Sequence, residues 1–372
     1  MQGLNILIVG GGIGGLTSAI ALRRDGHDVT VIEKDPNWSV YGVGILQQSN
    51  VIRAMAELEL VKDYIAAGVP FDKVAVHKPD GCLVAEVPIP RLIEEYPASL
   101  GIGRPALHKI LGDRTIADGA KVRLGITADQ IDDRGNTVEV VFSDGTRNDF
   151  DIVIGADGVF SQTREMIMPD APKPEFTGQA VWRYNFPRPA GLDALHAYNG
   201  PTGVGLAPIN SELMYMYVTT PEPGRPRYQH ADLAESMRSK VIDHSAPQIR
   251  ELAAQITDND AVVYRPMDAI LLREDWHAGR VVLLGDAVHT TTPHLGQGAG
   301  MAIEDSIVLA EEIGKHENPS SAFKAYRERR FERCRYIVDK SLEICRGQLG
   351  KGPLVDNAMA TAEMFQIVAE PI

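Results

Sequence analysis

The sequence predicts an α/β fold in two parts: a nucleotide-binding layer of buried strands and helices, interrupted twice by a second layer with a mixed sheet. Three observations carry this expectation. The apolar run Ile6-Leu7-Ile8-Val9 opens into the glycine-rich turn Gly10-Gly11-Gly12-Ile13-Gly14-Gly15. Far along the chain a second apolar run, Val281-Val282-Leu283-Leu284, ends in Gly285-Asp286-Ala287. Between them, segments alternate apolar and polar residues around proline- and glycine-rich breakers, the pattern of half-buried strands.

Residues 4–9 read as a buried parallel strand. Leu16, Ala19, Ile20 and Leu22 then repeat at helical spacing up to Gly26, and Asp28-Val29-Thr30-Val31-Ile32 forms the second strand. The glycine turn therefore sits at the first strand-to-helix junction of a βαβ unit. Val51, Met55, Leu58, Val61 and Ile65 predict one helix from Asn50 to Gly68. Val74, Val76, Leu83, Ala85 and Val87 alternate around Pro79-Asp80-Gly81, a hairpin. A second hairpin-like region covers 176–220, with breakers at Gly200-Pro201-Thr202-Gly203 and Pro208-Ile209-Asn210-Ser211. Both regions are assigned to a sheet outside the nucleotide-binding core. A proline-rich loop at 222–228 precedes helices at 231–244 and 247–256.

A further helix starts near Gly298 and runs to about Gly314. The last, from Ser320 to Arg346, carries the apolar line Phe323, Tyr326, Phe331, Cys334, Ile337, Val338 and Leu342. Arg327, Arg329, Arg330, Arg333 and Arg335 between them read as a solvated face. The nucleotide-binding domain is thus expected as 1–70, 98–173 and 265–346. The inserted domain is expected as 71–97 and 174–264, with 347–372 as a C-terminal tail.

The 372 residues suffice for one large or two modest domains. A hydrophobic fraction of 44% with 23% charged residues is that of an ordinary globular protein. A net charge of −13 argues against a nucleic-acid surface and fits solubility. Cys82, Cys334 and Cys345 lack C-x-x-C or metal spacing, as expected of free thiols in a reducing cytoplasm, and no metal site is expected. The chain enters a strand at once, with no secretory signal expected before it, and no run of 18 apolar residues predicts a membrane helix.

The glycine turn works by geometry. Gly10 permits the tight turn, Gly12 lets the backbone approach a pyrophosphate, and Gly15 lets helix pack on strand. The helix beginning at Ile13 and Gly14 offers free N–H groups and partial positive charge to phosphates. Glu33, followed by Lys34, stands where a carboxylate accepts ribose hydroxyls, which disfavours a 2′-phosphate and points to FAD or NAD. A lone fingerprint is weak. Here it is followed by Gly155-Ala156-Asp157-Gly158, then by Gly285-Asp286-Ala287 and Pro293-His294-Leu295-Gly296-Gln297-Gly298. Three spaced motifs in this order argue for FAD. Asp286, at a strand end, can accept hydrogen bonds from ribityl hydroxyls. Gly296, Gly298, Ala299 and Gly300 leave N–H groups open at a helix start, where they can stabilise negative charge on the N1–C2=O edge of reduced flavin. No His or Cys occupies an attachment position, so the FAD is expected to be non-covalent.

On these motifs the chain resembles, over roughly residues 4–345, the class A FAD-dependent aromatic monooxygenases, built on the Rossmann-like FAD-binding domain of the p-hydroxybenzoate hydroxylase type with an inserted mixed-sheet substrate domain. Gly42-Val43-Gly44-Ile45 looks like the segment that passes beside the flavin. Asp151-Ile152-Val153-Ile154-Gly155-Ala156-Asp157-Gly158, with Ser161 and Arg164, resembles the Asp-Gly motif that supports both FAD and transient NAD(P)H docking. Arg104, in Gly103-Arg104-Pro105, resembles an arginine that reaches FAD from a helix start, Pro293 to Gly300 resembles the loop under the isoalloxazine, and Ala128 falls where an adenine-side contact is expected. Trp182-Arg183 after Thr177-Gly178 also matches, though Tyr184 stands where glycine is common. Leu46-Gln47-Gln48-Ser49 departs from the usual segment, which puts the pocket's shape in question, and the Trp-x-Trp-x-Ile-Pro stretch of flavin halogenases is absent.

The resemblance implies hydroxylation of a small aromatic or heteroaromatic substrate with NAD(P)H and O2, through a flavin C4a-hydroperoxide, by a monomer or homodimer. Candidate catalytic residues are Tyr215 and Tyr217, which share a strand face with Leu213 opposite Met214 and Met216, and His294 beside Pro293. A phenol can orient a hydroxylated ring; a histidine beside the flavin can move a proton or serve as a structural contact. Rival readings are an antibiotic- or polyketide-modifying monooxygenase, an FAD-dependent reductase of isoprenoid lipids, and a non-enzymatic carrier of prenylated proteins.

Overall fold

The computed structural model describes residues 1–198 and 202–372. The strand Asn5–Val9 lies inside a six-stranded sheet. Its parallel neighbours are Asp28–Glu33 on one side and Ile152–Gly155 on the other. Lys121–Leu124 and Val281–Leu283 extend the parallel run outward, and short His277–Ala278 closes one edge antiparallel. Helices cover this sheet, so its strands read as unbroken apolar runs rather than alternations. The helix Ile13–Arg24 packs on Gly298–Lys315, which the long helix Pro319–Gln348 backs in turn. Ile6, Ile8, Leu16, Val31, Ile154, Leu284 and Ile303 belong to the single large core between them.

The second layer is a seven-stranded mixed sheet that unites both predicted hairpin regions. Its order is Val263–Ala269, Glu175–Pro187, Leu213–Pro221, Gly203–Pro208, Leu195–Tyr198, Lys73–His77 and Leu83–Pro88. Among the described residues, only Leu195–Tyr198 and Lys73–His77 pair parallel in this sheet. The breaker at Gly200-Pro201 falls outside the described residues. Period-two alternation sends Trp182, Tyr184, Phe186, Met214, Met216 and Val218 to one face, where they pack with residues of the helices Leu233–Val241 and Pro247–Ala254. The opposite face carries Arg183, Asn185, Tyr215 and Tyr217, because Arg183 pairs with Tyr217 and Asn185 with Tyr215. The strands Gly44–Gln48, Ser99–Gly103 and Val69–Phe71 form a small sheet whose Gly101 abuts Pro208 of the seven-stranded sheet.

Three expectations need correction. The helix expected over 50–68 is two, Ser49–Glu57 and Val61–Ala66. Leu60 N–H reaches back to Met55 O and Glu59 N–H to Ala56 O, with Glu59 at φ 59°, a Schellman stop made without glycine. Its apolar partners Met55 and Leu60 are both buried. The arginine face of the last long helix is not wholly solvated: Arg330 and Arg333 are buried among carboxylates of the preceding helix. The C-terminal tail contains a helix, Asn357–Ala369, capped by Asp356 and packed against the Pro319–Gln348 helix. Among the described residues no helix is long and apolar enough to cross a membrane. All three cysteines are free.

Candidate active site

The glycine turn is shaped by close backbone contacts. Gly10 has φ 111°, and a Cβ there would run into the Ala156 carbonyl; a Cβ on Gly15 would run into the Gly10 carbonyl. At Gly12 a Cβ would meet nothing within 4 Å, so this stretch of backbone lies open to a ligand. Gly14 packs against Leu284, and Ile13 begins the helix. The Glu33 carboxylate accepts from Gly11 N–H and Asp35 N–H, both at 2.9 Å. Trp38 Nε1–H donates to the Gly11 carbonyl at 2.9 Å, and His108 Nε2 lies 3.0 Å from the same oxygen. Lys34 beside them is exposed. Ala128 is buried in a core with Val9 and Ile32, on the side where Ile126 N–H bonds the Glu33 carbonyl.

Asp157 spends its carboxylate locally. One oxygen accepts from Ser161 Oγ at 2.5 Å; the other accepts from Thr163 N–H at 2.9 Å and Thr163 Oγ1 at 3.0 Å. What this motif offers outward is a fixed turn rather than a free carboxylate. Arg164 behind it is buried and donates to the carbonyls of Ala287 (2.8 Å) and Val159 (3.0 Å), tying the Asp-Gly motif to the Gly285 turn.

Gly285 has φ 61° and ψ −138°, a conformation left to glycine, and its N–H donates to Asp305 Oδ2 at 3.0 Å. This turn aims Asp286 into a recess: Asp286 is exposed although Leu284 and Ala287 on either side are buried. The protein around it pushes the Asp286 carboxyl above its ordinary range, while His289 and Arg104 pull it back. Arg104 begins the helix Arg104–Ala117, its N–H bonded to the Val43 carbonyl at 2.9 Å. Its guanidinium has no carboxylate hydrogen-bonded to it among the described residues; desolvation lowers it, against the pull of Tyr215 and Asp286. Gly44 pairs with Gly103 and lies so close to the Tyr215 ring that a Cβ would overlap it. Gly44, Arg104, Tyr215 and Asp286 therefore converge.

The loop from Pro293 is held from below. Pro293–Leu295 is a single 3₁₀ turn, Gly296 turns with φ 67°, and Gly298 and Ala299 open the next helix. Buried Gln297 exchanges two 3.0 Å hydrogen bonds with Asn50 and donates to Gln48. Both ring nitrogens of His294 are engaged, Nδ1 with Thr292 Oγ1 at 2.8 Å and Nε2 with Gln348 Oε1 at 3.0 Å. Burial lowers its imidazole below the ordinary range. These contacts describe a tethered, neutral ring.

The sheet face above the recess is aromatic and cationic. The Tyr217 ring occupies the space that a side chain at Gly205 would fill. Burial raises the phenols of Tyr215 and Tyr217, so both stay protonated at neutral pH. Arg183, in register with Tyr217, is lowered to about 10 by burial and by Arg104, and so remains charged. Sequence reasoning noted the Trp182-Arg183 pair without assigning Arg183 a place in the site.

Beneath the recess lies a cluster that spacing along the chain did not reveal. Asp305 accepts from Arg330 Nε at 2.8 Å and faces His289 Nε2 at 2.6 Å; Arg330 also pairs with Glu304 at 2.8 Å, and Arg333 with Glu304 at 3.1 Å. His289, Asp305 and Cys334 come close enough together to hold a metal ion. Arg330, bonded to Asp305 and 3.8 Å from Cys334 Sγ, already supplies positive charge there.

These features fit a flavin dinucleotide. An open glycine backbone suits a diphosphate, the recessed Asp286 suits hydroxyls, and the helix start at Gly298 suits an anionic ring edge. The FAD binding domain family model matches residues 4–341. The chain is 32% identical to the aurachin C monooxygenase/isomerase of Stigmatella aurantiaca, over 94% of this chain and 90% of that one. It is 31% identical to the 6-hydroxynicotinate 3-monooxygenase of Pseudomonas fluorescens, over 89% of each. The crystal structure of Klebsiella pneumoniae HpxO complexed with FAD and uric acid superposes with a TM-score of 0.83 at 26% identity, covering 100% of this chain and 94% of that one. Fold, motifs and relatives agree: the chain belongs to the FAD binding domain family and is an FAD-dependent monooxygenase of the class A aromatic hydroxylase type.

Proposed function

We propose that this enzyme hydroxylates a small phenol or nitrogen heterocycle bearing an acidic oxygen, taking electrons from NAD(P)H and oxygen from O2. The supporting observation is Arg183, a charged guanidinium with no carboxylate partner among the described residues, on the sheet face that carries Tyr215 and Tyr217. An arginine so placed can bind a phenolate or carboxylate oxygen, and the two neutral phenols can orient a ring by hydrogen bonding. Two comparison proteins, named for 6-hydroxynicotinate and solved with uric acid, handle ligands of this chemistry.

FAD, when bound and reduced, supplies the oxygen-activating chemistry. Gly10, Gly12, Gly14 and Gly15 would hold its diphosphate, Glu33 its adenosine ribose, and Asp286 with Arg104 its ribityl side. The Pro293–Ala299 segment would face its ring. Tyr215, packed against Gly44, would help to exclude water from the reacting ring.

The test is a screen of phenols, aromatic acids and hydroxylated nitrogen heterocycles for those that accelerate NAD(P)H oxidation, with O2 uptake measured alongside. Stimulation with stoichiometric O2 uptake and a hydroxylated product is expected. A protein that no ring compound stimulates and that never consumes O2 would overturn the reading in favour of a reductase.

A further inference from the structure

We infer that a second, arginine-lined cleft at the edge of the seven-stranded sheet binds the diphosphate of the nicotinamide coenzyme. The inference rests on the reading above that NAD(P)H is the electron donor. The glycine turn is a single dinucleotide fingerprint, assigned to FAD, so the electron donor needs another surface.

The cleft has a volume of 630 Å³, within the range of small-molecule sites, and its walls are pre-formed. The Tyr228 hydroxyl donates to Glu222 Oε2 at 2.8 Å, and the Tyr264 hydroxyl donates to the Pro226 carbonyl at 3.1 Å. With both phenol groups tied back, the charged residues that line the cleft are Arg225, Arg227 and Arg265. Arg225 is neutralised by Asp268 at 2.8 Å. Arg227 and Arg265 have no carboxylate partner among the described residues. In a protein of net charge −13, two uncompensated guanidiniums in one concave site mark a place for an anion, and a diphosphate carries the matching two charges.

Arg265 of the cleft also touches the segment that leads to the recess. The Arg265 guanidinium lies 4.1 Å over the Tyr41 ring, and Tyr41 leads into Gly42-Val43-Gly44, which packs under Tyr215. Arg265 pairs with Val181, two residues from Arg183 on the same sheet face. By contrast, Arg164 beside Asp157-Gly158, where docking is expected from sequence, is buried with its guanidinium bonded to two carbonyls.

The experiment compares the wild-type holoenzyme with the double variant Arg227→Ala/Arg265→Ala, after FAD content and melting temperature are matched. The KM for NADH or NADPH should rise about tenfold or more, as loss of charge-assisted hydrogen bonds to a phosphate predicts, with kcat moving much less. Calorimetric titration with ADP-ribose, which cannot transfer electrons, should weaken in parallel. Added salt should weaken wild-type ADP-ribose binding more than that of the variant. Single Arg227→Gln and Arg265→Gln changes, each expected to raise KM several-fold, serve if the double variant loses FAD. A wild type that oxidises neither nucleotide sinks the electron-donor reading itself. A wild type that oxidises one, beside FAD-replete variants with unchanged KM and ADP-ribose affinity, sinks the cleft alone.

Discussion

Polar side chains around the recess divide by whether the protein already uses them. Both oxygens of Asp157 and both of Glu33 accept hydrogen bonds from the chain itself. Asp286, Arg104 and Arg183 are left facing the recess. Asp286→Ala should therefore weaken flavin retention more than Glu33→Gln. A charged hydrogen bond is worth about 1.5–3 kcal/mol, roughly ten- to a hundredfold in affinity. Flavin absorbance per protein after dialysis measures this, and full occupancy in Asp286→Ala removes the assignment. Acid precipitation of wild type should release the flavin to the supernatant; colour in the pellet would mean a covalent bond. Tyr215→Phe and Tyr217→Phe should change substrate KM or raise the H2O2 released per NAD(P)H, with flavin content constant. If substrate KM, coupling and peroxide all match wild type, the two phenols are packing groups. The recess was legible in sequence as far as its motifs go, because glycines and carboxylates at strand ends have few other uses. Arg183 was not assigned a place, since its role follows from a strand register that pairs it with Tyr217.

At the scale of elements, two helices are joined by buried ions. Burial alone would raise the Asp305 carboxyl, yet His289 and Arg330 outweigh it and hold the group at about 2. A carboxylate depressed on folding stabilises above its unfolded value and loses that stabilisation as pH falls from about 4 to about 2. His289 behaves oppositely. Burial pulls it down, but Cys334 and Asp305 raise it well above the ordinary range, so its contribution is complete below about 6.5 and fades as pH rises through the raised value. The cluster is then strongest between about pH 4 and 6.5. Asp305→Asn leaves buried His289 without its carboxylate and Arg330 with Glu304 alone, and should cost about 3–5 kcal/mol. Thermal melts should show the largest deficit near pH 6 and a narrowing gap below about pH 4; equal melting temperatures at pH 6 would contradict the ion-pair account. Periodicity located these helices well, since it reports which face is buried. It misread Arg330 and Arg333 because their partners Glu304 and Asp305 sit on a different helix. It also ran through Glu59, where the stop uses an apolar Met55–Leu60 contact instead of glycine.

Across the whole molecule, the end of the chain is bound back to the floor of the site. Arg53 donates to the carbonyls of Val368, Ala369 and Glu370 at 2.9–3.1 Å, Arg333 to those of Glu370 and Pro371, and Arg329 to Ile372 at 2.6 Å. Three cations at the C-terminus of the last helix also suit its dipole. Arg53 and Arg333 meet Glu304, Glu304 accepts from Asn50, and Asn50 is paired with Gln297 in the Pro293–Ala299 loop. Met364 of the last helix touches Gln297 directly, with Sδ 3.4 Å from Nε2. Nothing in residues 347–372 carries a motif, which is why the sequence reads as a tail; its role follows from contacts with residues distant in the chain, from Arg333 back to Arg53. Truncation after Gly350 should leave Arg53 and Arg333 without their carbonyl partners and open the buried side of Gln297. Losing several charge-assisted hydrogen bonds together with buried Met364 and Val368 should cost at least about 3 kcal/mol. For a chain of this size that is a melting temperature lower by roughly 4 °C or more. Because the linkage ends at the loop proposed to face the flavin ring, flavin retention on dialysis should fall as well. The milder Arg53→Ala should lower both in the same direction. A truncated protein that melts and retains FAD like the full chain would show that the last helix is an independent appendage, and the linkage through Glu304 and Asn50 would have to be abandoned.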